Sequence, residues 1–184
     1  FAPNLSGELN GDYHVVQTAT DLTISSDMGI KNMVYELNSM GNVGAEFVYI
    51  PKGNGTHYID AILSKDEMEI GKLSGTYDSR GKGSLDAEFT MDKFPLNYIN
   101  GFVPDRIIGL HGTGEGTLAM QGPLKNLDIN GEIYLDSSYV FSEPYGVKLN
   151  FANDPVLINH SRVEFENFEV FASNKAPLDI SGYL

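Results

Sequence analysis

Residues 84–92 read SLDAEFTMD, and their side chains alternate strictly between polar and apolar. The apolar members of this alternation are Leu85, Ala87, Phe89 and Met91. Because successive side chains of a β-strand point to opposite faces, a period of two residues is typical of a strand with one buried face. The stretch predicts a half-buried β-strand, and the same pattern dominates the rest of the chain.

Similar alternation, with more irregularities, appears on both sides of this stretch. It occurs in MVYEL at 33–37, HYIDAIL at 57–63, VKLNF at 147–151 and LDISGYL at 178–184. Turn-forming residues bound the segments, as in KGNG at 52–55, DSRG at 78–81 and SEP at 142–144. The sequence therefore predicts an all-β fold.

One region is typical of a helix instead. Residues 92–101 read DKFPLNYING, in which Asp92 can cap a short segment whose apolar side chains share a face before Gly101 ends it. The chain of 184 residues has the length of one domain. Because it begins at Phe1 rather than Met, we expect a single segment of a longer chain, with strands at 1–91, the short helix and a turn at 92–104, and strands at 105–184.

A short motif recurs along the chain: an apolar residue, a small polar residue, glycine, any residue and a second apolar residue. Its five copies centre on Gly7, Gly11, Gly75, Gly131 and Gly182. In an extended chain the glycine lies between two apolar side chains of the same face. The irregular spacing does not define a strict repeat. It favours one architectural unit used several times, in an elongated stack or a wide, curved sheet.

Glycine is also concentrated in residues 109–122, GLHGTGEGTLAMQG. The part GEGTLA at 114–119 matches the G-x-G-x-x-G/A loop of dinucleotide-binding folds, which requires a helix to begin within the loop. MQGP follows directly and is typical of a strand end and a turn, so no helix has room to hold a pyrophosphate. We expect no nucleotide, and we interpret the stretch as a strand whose glycines mark a bend, at Gly112, Gly114 and Gly116.

Charge and composition exclude several classes of function. The formal net charge is −13, from 25 acidic and 12 basic residues, which disfavours nucleic acid because phosphate binding depends on clustered Lys and Arg. There is no cysteine for disulfides or thiolate metal sites. The four histidines are far apart, and no nucleophile has a base at a recognisable spacing. The sequence NLDING at 126–131 resembles the start of a calcium loop, but its first position is Asn126 rather than Asp, and Ser137 stands at position twelve, where a bidentate Glu is needed. We expect neither an enzyme nor a cofactor or metal.

From about residue 89 onward, the order of these features resembles the TamB family, in the AsmA-like group of very long periplasmic β-proteins. The first shared element is a D-x-F-P-L helix, carried by Asp92, Phe94, Pro95 and Leu96, and the second is the glycine-studded run at 112–135. A P-x-G turn follows, at Pro144 and Gly146, and strands ending in G-x-L close the chain. Leu127 departs from the family's pattern, which has proline after the asparagine, so this turn is expected to be looser.

The resemblance implies an elongated, curved and largely antiparallel sheet folded into an open apolar trough, a β-taco. Members of the family are anchored in the inner membrane, cross the periplasm of Gram-negative-type cells, and take part in phospholipid transport toward the outer membrane and in outer-membrane protein assembly. It therefore implies two kinds of partner for this chain: phospholipid acyl chains and a BamA-like outer-membrane barrel protein.

Combining the alternation with this resemblance gives a set of residues expected to line the groove: Leu85, Ala87, Phe89, Leu118, Met120, Ile129, Ile133, Leu135, Val147, Leu149 and Phe151. An ordinary closed core would need the same single apolar face on each strand. The run EFENFE at 164–169 alternates acidic and aromatic residues, which favours a solvated strand face over a catalytic carboxylate pair.

Two other functions remain open on the sequence alone. One is a scaffold that offers strand edges to outer-membrane β-segments by β-augmentation. The other is a closed β-sandwich that binds a partner at the cell surface through exposed aromatic residues, with Tyr139, Phe141 and Tyr145 as the contact patch.

Overall fold

A computed structural model describes residues 4–102, 109–172 and 176–183. Twelve strands and one 3-10 helix make up most of this part of the chain. The elements are β1 (Leu5–Gln17), β2 (Leu22–Tyr35), β3 (Asn38–Pro51), β4 (Thr56–Lys65), β5 (Met68–Asp78), β6 (Ser84–Pro95), the 3-10 helix (Leu96–Phe102), β7 (Gly109–Gly122), β8 (Asp128–Ser142), β9 (Val147–Phe151), β10 (Pro155–Asn159), β11 (Arg162–Ala172) and β12 (Leu178–Tyr183).

All twelve strands belong to one sheet, and every neighbouring pair is antiparallel. The strands follow one another across the sheet in chain order. The exception is β9 and β10, which share one position between β8 and β11: β9 pairs with one end of each neighbour and β10 with the other. The predicted all-β fold class, with an elongated and largely antiparallel sheet, is confirmed.

The pairing register places apolar side chains of neighbouring strands side by side. One continuous row crosses β1 to β8 and β10, and consists of Gly11, Met28, Ala45, Leu63, Gly71, Met91, Gly116, Ile133 and Val156. The alternate residues of each strand point to the opposite side. The sheet thus has one apolar face and one outer face rich in acidic and hydroxyl side chains.

Bulges bend the sheet along a line that crosses the strands. Within the strands, four residues other than glycine have φ near +50°, and each lies at a register shift: Asn32 in β2, Lys93 in β6, Ser137 in β8 and Asn167 in β11. These four strands run in the same direction, and all four bulges lie on the same side of the apolar row. A bulge adds a residue to one strand and increases its local twist, so a line of bulges curves the whole sheet.

The recurring glycine motif lies within strands, where neighbouring backbones approach closely. At Gly131 in β8 the backbone has φ +157°, and a Cβ atom there would collide with the carbonyl oxygen of Thr117 in β7. At Gly116 in β7, where φ is +151°, a Cβ atom would collide in the same way with the carbonyl oxygen of Glu132 in β8. Side chains at these positions would force the two strands apart, so the glycines permit a tighter curve.

The helix begins later than the sequence indicates. Asp92, Phe94 and Pro95 belong to β6, where Pro95 pairs with Thr113, and Lys93 forms a bulge. The helical segment starts only at Leu96 and is a 3-10 helix of seven residues. Asp92 therefore does not cap it. Residues 103 and 104, the end of the predicted helix and turn, lie outside the described part of the chain.

The accessible surface shows how open this architecture is. The chain exposes 11,993 Å², whereas a compact monomer of 20.2 kDa would expose about 8,800 Å². Both edge strands, β1 and β12, are exposed along their whole length. A single open sheet, rather than two sheets sealed against each other, accounts for the excess.

Candidate functional site: an apolar cavity beside the 3-10 helix

A cavity of about 800 Å³ lies on the apolar face of the C-terminal half of the sheet. Strands β7 to β12 form its floor, and the 3-10 helix bounds one side. Its lining is made by Leu96, Ile99, Asn100, Leu110, Ile133, Leu135, Val140, Leu149, Phe151, Val156, Ile158, Val163, Phe165, Phe168, Val170, Ile180, Ser181, Gly182 and Tyr183. This volume lies in the upper part of the range found for ligand sites, about 300–1,000 Å³.

The floor of the cavity is built by strand alternation and one bulge. Ile133 in β8 pairs with Val156 in β10, which continues the apolar row into the cavity. In β11, Phe165 and Phe168 are three residues apart and would face opposite sides of a regular strand. The bulge at Asn167 adds one residue, so that both rings reach the apolar face.

Aromatic side chains form the most buried part of this floor. Phe168 and Val170 are each only 2% exposed. The Phe168 ring packs against Phe151 and Phe165, with ring centroids 5.5 and 5.3 Å apart and the planes inclined at 63° and 60°. Such inclined contacts are favourable for aromatic rings and fix their positions. The floor is therefore a preformed surface.

The 3-10 helix forms the wall that separates the cavity from the N-terminal half. With three residues per turn, side chains three apart lie on one side of the helix. Leu96 and Ile99 share the side that lines the cavity. Tyr98 lies on the other side, against β3, and a Cβ atom at Gly101 would contact the ring of Tyr35 in β2.

Hydrogen bonds hold the helix at both sides. The side-chain amide of Asn100 donates to the carbonyl oxygen of Leu110 at 2.9 Å and accepts from the Leu110 amide at 2.8 Å, which ties the helix to β7. On the other side, the Asn38 side-chain amide donates to the carbonyl oxygen of Asn97 at 2.6 Å. The helix is thus fixed between β3 and β7.

The region beyond the helix is filled by the protein's own side chains. We call it the closed cluster: Met40, Ile70 and Tyr98 are buried there, with Met33, Tyr35, Val43, Leu63 and Phe94 packed around them. The Tyr98 hydroxyl donates to the carbonyl oxygen of Met40 at 2.8 Å, and its ring meets Phe94 edge to face at 5.8 Å. Burial, with a smaller contribution from Asp66, raises the pKa of Tyr98 to about 12.

No charged side chain lines the cavity among the residues that the structure describes. Its few polar members are Asn100, whose amide is engaged with Leu110, and Ser181 and Tyr183 on the exposed edge strand β12. The carboxylates with lowered pKa lie elsewhere: hydrogen bonds from the Arg80 side chain and amide lower the pKa of Asp78 to about 2, and hydrogen bonds from Thr20 and Lys52 lower the pKa of Asp21. The described lining can exclude water and surround hydrocarbon, and it offers no charged group to hold an ion.

The structure brings together some of the side chains that the sequence assigned to a groove. Ile133, Leu135, Leu149 and Phe151 line the cavity. Six others lie on the same apolar face but outside the cavity: Leu85, Ala87, Phe89, Leu118, Met120 and Ile129. Of these, Leu85 and Ala87 are buried. Val147 lies outside the lining as well, at the start of β9, and is 44% exposed.

The three glycines assigned to a bend have different roles. Gly112, with φ +102°, lies opposite the bulge at Ser137, and Gly116 allows the close approach of β8. Gly114 has no unusual φ, and it makes room for the helix instead. A Cβ atom on Gly114 would lie 3.2 Å from Leu96 Cδ2 and 3.1 Å from Ile133 Cγ2.

Much of the lining was not identified from the sequence. The missed residues are Leu96, Ile99, Asn100, Leu110, Val140, Val156, Ile158, Val163, Phe165, Phe168, Val170, Ile180, Ser181, Gly182 and Tyr183. In the run 164–169, Glu166 is exposed, whereas the bulge at Asn167 turns both Phe165 and Phe168 toward the apolar face. Val163 and Phe165 are two residues apart, as are Phe168 and Val170, and this spacing was the pattern that could have placed each pair on an apolar strand face.

Within the described residues, no helix has the length and hydropathy required to cross a membrane. The same part of the chain contains no group of three His, Asp or Glu side chains placed to hold a metal ion. Comparison of the chain with family models, with curated proteins and with solved structures finds no match.

Proposed function

We propose that this chain is a section of a cell-envelope bridge protein that shields lipid acyl chains on its apolar face while phospholipid moves between the inner and outer membranes. The observation that carries the proposal is the cavity of about 800 Å³ with an uncharged, almost wholly apolar lining. The resemblance of residues 89–184 to the TamB family supports the same role, with the periplasm as its location and an inner-membrane anchor elsewhere in the parent chain.

The free energy of such binding comes from removing hydrocarbon from water. Each CH₂ group that enters the cavity contributes about 0.8 kcal/mol. Because the described part of the lining has no charged side chain, a phosphate or ammonium head group gains nothing there and stays in water. The site therefore binds the acyl chain of a lipid and not its head group. We assign it no catalytic step, cofactor or nucleotide.

A pair of neighbouring residues offers a direct test. Ile133 faces the cavity, whereas Tyr134 follows it in β8 and is 52% exposed on the outer face. A photo-reactive amino acid at position 133 of the native-length protein is expected to crosslink to phospholipid in cells, and the same amino acid at position 134 is not. Crosslinks at 133 that contain only protein would contradict the proposal.

The exposed edges support a second candidate function. Every residue of the thirteen-residue strand β1 is exposed, and its outer edge has no pairing partner among the described residues. Unpaired strand edges are templates for β-augmentation, so a BamA-like barrel or an unfolded outer-membrane segment could pair there. In that case, proline at Asp12 would abolish recovery of barrel proteins in pull-downs, while lysine at Ile133 would leave it unchanged.

A further inference from the structure

The cavity is closed at one end and open at the other. Leu96, in the wall formed by the 3-10 helix, is only 3% exposed, and the closed cluster fills the space behind it. At the opposite end, every residue of the edge strand β12 is exposed, including Ile180, Ser181 and Gly182 of the lining. The cavity is therefore a blind pocket whose mouth lies at the edge strand.

From this geometry we infer that Leu96 and Ile99 form the stop against which the end of an acyl chain rests, and that they set the length of chain the cavity accepts. The inference rests on the proposed function and adds a specificity that the proposal does not contain. The occupant is a single acyl chain, because the lining among the described residues is uncharged and almost wholly apolar. From β7 to β12 the sheet spans four strand spacings, or about 19 Å.

Two features of the wall make it a stop rather than a loose cover. The Asn100 side chain joins the helix to the β7 backbone by two hydrogen bonds, of 2.9 and 2.8 Å. The Leu96 side chain lies close to the backbone at Gly114, where even a methyl group would be only 3.2 Å from it. A chain that reaches this wall cannot pass under the helix, and further methylenes must stay outside the cavity.

The affinity for fatty acids should then rise with the length of the acyl chain and level off at one length. Each added methylene is expected to tighten binding about fourfold while it still enters the cavity. Once the chain end reaches Leu96, additional methylenes should give no further gain. The length at which affinity levels off is the property that the wall determines.

The test is displacement of a bound fluorescent fatty acid by saturated fatty acids of increasing length, from decanoic to docosanoic acid. Leu96→Ala and Ile99→Ala are expected to move the plateau to longer chains, and Ile99→Trp to shorter ones. Leu124→Ala is the matched control, because Leu124 is 58% exposed and lies outside the cavity. Its plateau is expected to remain where the wild-type plateau lies.

Thermal melting of each variant shows whether it is folded, and Ile99 is the safer site because it is 42% exposed. If fatty acids bind and all folded variants show the same plateau, the helix is not the stop, and this inference is overturned while the proposed function stands. If the wild-type protein binds no fatty acid of any length, both are overturned.

Discussion

The two sides of the 3-10 helix show how one sheet pattern can give two different environments. On the side of β2 to β6, Met40, Ile70 and Tyr98 pack into the closed cluster on the apolar face. On the side of β7 to β12, the same kind of apolar face borders a cavity of about 800 Å³. The strands of both halves alternate between apolar and polar side chains, but the two halves contact opposite sides of the helix.

This difference teaches that strand alternation alone does not decide between a core and a binding surface. The helix side chains decide it, since Tyr98 fills one side while Leu96 and Ile99 only border the other. The closed cluster anchors the helix, and the anchored helix then limits the cavity. Stability is therefore expected to depend most on the closed cluster, and ligand binding most on the cavity.

The largest effect on stability is expected at Tyr98. Tyr98→Ala removes a ring that is 6% exposed together with its hydrogen bond to Met40, and should lower the free energy of unfolding by about 3–5 kcal/mol in urea titrations. The matched control is Tyr58→Ala, because Tyr58 is 49% exposed on the outer face, and its cost should stay near 0.5 kcal/mol. Equal costs at the two tyrosines would mean that the closed cluster does not hold the helix.

A change at the junction of the two regions should affect both. Gly114→Val places methyl groups where a Cβ atom already lies 3.1 Å from Ile133 Cγ2 and 3.2 Å from Leu96 Cδ2. Overpacking of this kind costs about 1–3 kcal/mol, and it should push the helix away from the sheet. We expect a lower melting temperature together with a lower affinity for fatty acids; a change in one quantity without the other would show that the helix does not couple the two regions.

A smaller and pH-dependent effect is expected from the Tyr98 hydroxyl alone. Tyr98→Phe removes the hydrogen bond to Met40, which should cost about 1 kcal/mol near neutral pH. In the folded protein the pKa of Tyr98 is raised from 10.0 to about 12. Because a raised pKa means that the folded state keeps its proton longer, this contribution is complete below pH 10 and is lost as the pH rises through 12.

The measurement for this third prediction is the difference in unfolding free energy between wild type and Tyr98→Phe from pH 9 to pH 12. Contributions that the two proteins share cancel in the difference. The wild-type advantage should shrink across this window, and a constant difference would contradict the assignment of the raised pKa to Tyr98.

The sequence was sufficient for the fold class and for the orientation of many side chains. The alternation in 84–92 predicted β6, and the parity of 109–122 predicted β7, which runs through the whole glycine-rich stretch. These predictions succeeded because successive side chains in a regular strand point to opposite faces, so the position of a residue in the strand determines its direction.

The rest depends on contacts between distant parts of the chain. The bulges at Ser137 and Asn167 shift the alternation of side chains between the two faces of the strand by one residue. A bulge is defined by the pairing with the neighbouring strand rather than by the local sequence. For this reason the inward rings of Phe165 and Phe168 were missed. Likewise, no local pattern shows that Leu96 packs against Gly114, so the boundary between closed cluster and cavity could not be predicted.

Native mass spectrometry of the purified protein after incubation with phospholipid vesicles tests the central claim most directly. Glu132 and Leu135 lie in the same strand, but Leu135 lines the cavity and Glu132 belongs to the outer face. We predict that the wild-type protein and Glu132→Lys each retain bound phospholipid, whereas Leu135→Lys, folded by thermal melting, retains none. Equal retention by the two lysine variants, or no retention by the wild type, would contradict the account.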